Sequence, residues 1–426
     1  MVSSKISRLF KTASGTILEW YDFCLFAYFA PAIGRTFFAS GDQHYDLLLA
    51  LSVFGCGFVA RPFGGFLFGY LGDKVSRYFA MNMSIFLMGL TTLACAALPG
   101  YQFLGIYAPI CLFALRILQG ISAGGQIGNL LVILSEDPEL SHKGFYIGIA
   151  NATAQLGFVL AAAISLLVAH FTPPPWQELS WRLPFMIGGF FLLIYAMLLQ
   201  GEDNTATTLS FRCHLKLPVT LHILLRHYKA SLLVMLLLCF GVGTCFYITF
   251  TFFMDFLSQL HLMTQAETFR FNMLGILLAC ALLPLFGYLG DRLGLYRMLL
   301  IGIIVSLALN HLEFEWLLSD NLGKQVIALV LFVVCICWLN GCCMPLFAKL
   351  FPTRIRASGF CTAFGVASAL CGFSPMIAER LMLTNPLWIE QLFKITLILI
   401  LLTALALPLV TRKISNLTNP LLKIHE

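Results

Sequence analysis

The chain has 426 residues, 59% hydrophobic and 11% charged, with a formal net charge of +6. A soluble protein carries about 25% charged residues, whereas the mean hydropathy here is +0.88. A soluble enzyme, a disordered scaffold and a single-span receptor are excluded. About twelve helical spans of ~20 residues would absorb the apolar content, and the lack of alternation argues against an outer-membrane barrel.

Apolar runs bounded by charges, Gly or Pro predict helices near 16–39, 46–72, 78–98, 105–135, 145–170 and 181–200. A second set lies near 231–258, 268–290, 296–312, 325–350, 358–383 and 388–411. The ninth span is short and ends in His311, Glu313 and Glu315. With the N-terminus inside, most of the 26 Lys and Arg fall on the cytoplasmic face, so both termini are expected there. Arg61 and Arg116 fall inside the membrane. The basic start, Met1 to Lys11, leads into an acid-bearing run with no small-residue cleavage pattern, so no cleaved leader is expected.

The 14 cysteines do not suggest a disulfide or metal framework. Cys335, Cys337, Cys342 and Cys343 sit in an apolar run, where Cys behaves as a small apolar residue. No HExxH pattern occurs, and neither a cofactor, a metal nor an enzymatic role is expected. The basic residues are scattered over short loops, which does not favour nucleic acid as a partner.

The polar stretch from Gly201 to Lys229 divides the spans six and six. The expected domains are a bundle over 1–200, a cytoplasmic linker over 201–230 and a bundle over 231–426. An internal repeat supports two parallel halves: Gly69-Tyr-Leu-Gly-Asp73-Lys74 recurs as Gly287-Tyr-Leu-Gly-Asp291-Arg292, at the end of the second helix of each half. The fold expected is all-α, with twelve transmembrane helices in two pseudo-symmetric six-helix bundles.

The 69–77 stretch resembles the loop 2–3 signature of the major facilitator superfamily. Glu19-Trp-Tyr-Asp22-Phe23, Arg61-Pro-Phe-Gly-Gly65, Arg116-Ile-Leu-Gln-Gly120 with Gly124-Gly125-Gln126, Trp181-Arg-Leu-Pro-Phe185 and Phe351-Pro-Thr-Arg354-Ile-Arg356 are similar to its metabolite:proton symporter branch. That branch includes proline/betaine, dicarboxylate, citrate and shikimate carriers. The chain departs from it at Gln126, where Glu is common. The resemblance implies a cytoplasmic latch in which Asp73 meets the N-terminus of helix 11 and Arg77 pairs with Glu136, with Asp291 and Arg292 as a reduced second copy. It also implies a functional monomer in a bacterial inner membrane, with lipid, protons and a small-molecule substrate as partners.

An ionisable residue at mid-helix costs roughly 2.5–3.5 kcal/mol on insertion scales, so it is paired, hydrated or used. Glu19 and Asp22 share one face of helix 1. Asp22 is either a fixed ion-pair partner or an acid that titrates during transport, with Glu19 secondary. Helical rise places Arg61 within roughly 5 Å of Asp22's depth and Arg116 roughly 13 Å away. The resemblance favours Arg116, because helices 1 and 4 line the cavity in this superfamily. On helix 4, Arg116, Gln119, Ala123 and Gln126 form one stripe, expected to face that cavity, while Gly120, Gly124 and Gly128 have close-packing spacing. Candidate substrate contacts are Arg61, Arg116, Gln119, Gln126, Asn151, Gln155, Tyr28 and Tyr247. Proton-coupled uptake of a small polar metabolite, an osmolyte or organic carboxylate, is the leading expectation. A carrier of a larger carboxylate such as a siderophore, or a proton-antiport exporter, are the alternatives, although 144–157 contains no Pro of the Gly-Pro-Gly kind many exporters carry.

Overall fold

In hydrocarbon every backbone amide must be bonded internally, so runs this apolar fold as helices. The computed structural model describes residues 2–38, 41–173, 180–199 and 216–421. Its first half contains α1 (Val2–Tyr28), α2 (Ala30–Phe37), α3 (Gln43–Lys74), α4 (Arg77–Ala97), α5 (Tyr101–Leu104), α6 (Tyr107–Glu136), α7 (Lys143–Phe171) and α8 (Arg182–Leu199). Then follow α9 (Leu217–His227), α10 (Lys229–Tyr247), α11 (Phe253–Gln259), α12 (Gln265–Leu293), α13 (Leu295–Leu317) and α14 (Leu322–Phe347). The chain closes with α15 (Arg356–Cys371), α16 (Ser374–Met382) and α17 (Leu387–Leu421). Among the described residues, 11 helical segments are long and apolar enough to cross a membrane. The twelfth crossing is α1, whose apolar stretch carries Glu19 and Asp22. The architecture is two pseudo-symmetric bundles of six.

Several boundaries differ from expectation, each for a local reason. The first span breaks at Phe29 because Pro31 opens a new helix, α2, where its missing amide costs nothing. The eleventh breaks after Cys371, with Pro375 in the first turn of α16. The ninth runs on to Leu317 rather than ending at 312: Glu313 turns inward while His311 pairs outward with Glu390 at 3.0 Å, so neither stops the helix. The stretch expected to be a linker contains α9; its part over 201–215 lies outside the described residues. Helix 7 is interrupted by a π-helical turn, Ile248–Phe252, between α10 and α11.

Contacts between the halves run along two seams, α3 against α15 and α7 against α12. Within the first half α3 also lies almost backbone-to-backbone on α6. A β-carbon on Gly120 would strike the Gly57 carbonyl, one on Gly124 the Arg61 carbonyl, and one on Gly64 the Ile121 carbonyl. Without a hydrophobic drive between helices in lipid, this close approach supplies van der Waals contact. Gly55, on the same helix, has nothing within 4 Å of such a carbon.

Gly120→Leu should therefore force α3 and α6 apart at a cost of about 1–3 kcal/mol, while Gly55→Ala gains up to about 1 kcal/mol of helix propensity. Thermal unfolding in detergent is expected to drop by a few degrees for the first and to hold or rise for the second. Equal shifts would contradict the packing.

Candidate functional site

The break after Tyr28 decides which cation meets Asp22. Asp22 lies six residues, about 9 Å, before the end of α1, and Arg116 nine residues, about 14 Å, after the start of α6. The depth comparison that favoured Arg61 assumed an unbroken first helix to 39. Arg116 Nη1 lies 3.4 Å from Asp22 Oδ2, and both side chains are buried. That separation is long for a charge-assisted bond, commonly about 2.7–2.9 Å. Neutral donors come closer: Thr92 Oγ1 donates to Asp22 Oδ1 at 2.9 Å and Gln119 Nε2 to Oδ2 at 3.1 Å. Gln119 Nε2 also lies 2.9 Å from Thr92 Oγ1, and the Cys95 thiol reaches Gln119 Oε1 at 3.8 Å. The Arg116 guanidinium stands 3.7 Å from the Phe26 ring centre, and its Nε and Nη2 have no partner.

Arg116 and Gln119 thus face α1 and α4 inside the first bundle, not an open cleft between the halves. The expected stripe stays on one side of α6, but close packing of α1, α4 and α6 seals that side. Gln126 lies further along beside Gly15, its amide atoms unpartnered.

A second charged group sits at the seam between the halves. Arg61 is 3% exposed and ringed by aromatics, 4.4 Å from the centre of Phe23, 4.5 Å from Phe58 and 5.5 Å from Trp20. From the other half, Tyr247 lies within hydrogen-bonding reach of Arg61 and packs edge-on to Phe58. Phe246 meets Phe158 of α7, which stacks on Trp20 at 5.2 Å. The π-helical turn begins one residue after Tyr247 and widens the helix there; such turns concentrate at functional sites. Arg61 also feels the charge of Glu19, whose Oε2 is unpartnered. Arg61 Nε and Nη2, Trp20 Nε1, Asn151 Nδ2, Gln155 Oε1 and Thr244 Oγ1 are unpartnered too. Buried polar atoms are normally bonded, and these leave donors and acceptors free to take up a further partner. Asn151 and Gln155 lie two turns and one turn before Phe158 on α7. Tyr28, 42% exposed at the end of α1, makes no ring contact with Trp20, Phe23, Phe58 or Tyr247 among the described residues. A cavity of about 150 Å³ lies elsewhere, between α10–α11, α12 and α14, with mainly apolar walls.

The duplicated hexamers close one end of the molecule. Asp73 accepts from the amides of Ala357 at 3.1 Å and Ser358 at 2.7 Å, the second and third residues of α15. Asp291 accepts from Gly144 and Phe145, both at 3.0 Å, the second and third residues of α7. Neither α7 nor α15 has a side-chain cap of its own. Each aspartate therefore caps a helix of the opposite half, with the N-terminal dipole favouring its charge. Arg77 lies 2.6 Å from Asp73 and 3.4 Å from Glu136. Glu136 also pairs with Arg356 of α15 at 3.0 Å, a partner missed in the sequence.

Arg292 differs from its expected place. It is exposed, forms no ion pair among the described residues, and lies 5.1 Å over the Tyr288 ring. Lys74 lies over Tyr70 in the same way at 5.3 Å. Arg292 thus repeats Lys74, and the offset relating the hexamers carries Arg77 to Leu295. Thr92, Cys95, Trp20 and Phe58 were also missed; only the Thr91-Thr92 pair within an apolar run was a usable signal.

Asp73→Ala and Asp291→Ala each orphan two first-turn amides. Losing a cap costs about 1 kcal/mol or somewhat more, so hydrogen–deuterium exchange should quicken several-fold at 357–358 in the first variant and at 144–145 in the second. Unchanged exchange at those amides would contradict capping across the halves.

A model of the Major Facilitator Superfamily matches residues 12–378. The citrate-proton symporter of Klebsiella pneumoniae is 27% identical over 381 residues, covering 89% of this chain and 86% of its own. The proline/betaine transporter of Escherichia coli strain K12 is 27% identical over 399 residues, covering 88% of this chain and 78% of its own. Both relatives are carriers, not enzymes. A solved proton:xylose symporter bound to 6-bromo-6-deoxy-D-glucose superposes with a TM-score of 0.72 at 15% identity, covering 94% of each chain, a likeness of fold. With reciprocal aspartate caps joining two six-helix bundles and a family match over most of its length, this chain belongs to the Major Facilitator Superfamily.

Proposed function

We propose that this protein is a proton-coupled symporter that takes up a small carboxylate-bearing metabolite across a bacterial inner membrane by alternating access. The observation that carries the reading is the pairing of two separate buried ion sites, Asp22–Arg116 sealed within one bundle and Arg61 at the seam between bundles. A carrier needs both, one site for the driving ion and one for cargo.

Arg61 keeps Nε and Nη2 free, and a guanidinium presents paired donors to a carboxylate. Citrate, proline and betaine, named for the two relatives, all carry that group. Trp20, Phe23, Phe58 and Tyr247 supply apolar walls, and Glu19 an opposite charge for a zwitterion's cationic end. A proton on Asp22 cancels the charge facing Arg116 and leaves Thr92 and Gln119 to rearrange, which loosens α1 from α4 and α6. The bundles, assigned to 1–200 and 231–426 about the 201–230 segment, then rock so that the Asp73 and Asp291 caps part. Arg77, Glu136 and Arg356 hold that end shut until they do. The bias of Lys and Arg puts this end and both termini in the cytoplasm. The proton gradient is the driving force, and one chain contains every gate, so a monomer suffices.

Proteoliposomes supplied with labelled citrate, proline, betaine, dicarboxylates or a ferric carboxylate chelate should accumulate one class only when an inward proton gradient is imposed. Asp22→Asn is expected to lose accumulation yet retain exchange of labelled for unlabelled substrate. Arg61→Lys, which sacrifices the planar fork, should raise KM about tenfold with coupling intact. Undiminished accumulation by the Asp22 variant would refute its role, and gradient-driven efflux would establish export instead.

A further inference from the structure

The offset that superposes Asp73 on Asp291 also aligns α4 with α13. It carries Thr92 to Asn310 and Cys95 to Glu313. The two positions of α4 that serve the Asp22 network thus correspond to a polar residue and an acid in the second half. Glu313 is 1% exposed. The Cys335 thiol of α14 donates to its Oε1 at 3.5 Å, a near mirror of the Cys95–Gln119 contact between α4 and α6.

The surroundings of Glu313 contrast with those of Asp22. Cys335 faces it from α14 and Cys245 from α10. Glu390 of α17 is directed outward, onto the exposed His311. Phe314, the next residue in the chain, packs edge-on against Phe332 of α14 at 5.2 Å. Among the described residues no Lys, Arg or His forms an ion pair with Glu313. One turn earlier, Asn310 is 1% exposed, and neither its Oδ1 nor its Nδ2 has a partner. A lone carboxylate and an unsatisfied amide, buried side by side in a membrane helix, are each costly. Both become tolerable if a proton resides on the acid and water reaches the amide. Glu313 lies four residues before the end of α13, about 6 Å from the face opposite the aspartate caps. A proton therefore has only a short path from that face.

We propose that Glu313 is a second, independent proton-binding site of this protein, exchanging with the face opposite the Asp73 and Asp291 caps. The event is simple association of one proton with one carboxylate oxygen, and no other bond changes.

Infrared spectroscopy of the full chain in lipid nanodiscs, titrated between about pH 5 and 9, reads the carboxylic C=O stretch directly. Expected is a band whose amplitude falls as pH rises, absent in Glu313→Gln and retained in Asp22→Asn. Should Glu313→Gln fail to fold, Cys335→Ala keeps the question answerable: losing the thiol contact should displace both the band and its pH midpoint. A Glu313 band of constant amplitude across the range would make it a permanently neutral structural acid and overturn the proposal. The absence of any band dependent on Glu313 or Cys335 would do so equally. Because this readout needs no substrate, its failure is distinguishable from failure of the symport reading.

Discussion

Among the helices that begin without a side-chain cap of their own, α7 and α15 each borrow an aspartate from the opposite bundle. The first-turn amides of α7 and α15 have no carbonyl partner within their helices. Asp291 and Asp73 satisfy the second and third of them in each case, in the same register. The bond is local in character but joins the halves, so helix-end stability and closure of one side of the molecule become a single event. When the halves separate there, four amides and two aspartates must find water. That requirement stabilises the joined form. Gly69 and Gly287 allow it, since a β-carbon at either would strike the backbone of the capped helix.

Behind these caps the two halves have diverged. The first carries its acid on the opening helix, where Arg116, Gln119 and Thr92 surround it. The second places one on its third helix, beside thiols and an unsatisfied amide. At the caps the same asymmetry appears: Arg77 and Glu136 reinforce Asp73, whereas among the described residues Asp291 has no such cluster and Arg292 rests on its own helix's Tyr288. Duplication preserved the backbone device, which needs only Gly and Asp, and left the charged side chains free to change.

Burial of ions in hydrocarbon explains why the remaining polar residues gather where they do. Arg61 has aromatic faces around it besides the nearby Glu19, and each such contact is worth about 2 kcal/mol once water is excluded. Its unused donors sit at a seam between the bundles, where motion of either changes what they meet. Arg116 is enclosed by a single bundle, where it pairs with Asp22 and lies over the Phe26 ring. The two buried cations are thereby kept at separate places, joined through α1, which carries Glu19 toward Arg61 and Asp22 toward Arg116.

The family resemblance implied the Asp73 contact with helix 11 and the Arg77–Glu136 pair, whereas hydropathy, the repeated hexamer and the placing of charge along the chain were enough for twelve crossings, two halves and Asp22 as a buried acid. These depend on composition and period, which lipid reads one segment at a time. Pro31 is a local signal, but only the folded chain showed that the break falls at Phe29 and brings Asp22 to the level of Arg116. The aromatic cage of Arg61, Thr92's hold on Asp22 and the isolation of Glu313 likewise arise from residues on separate helices. Rotation of each helix about its axis is fixed by its neighbours through close-packed glycine contacts, and no single segment encodes it.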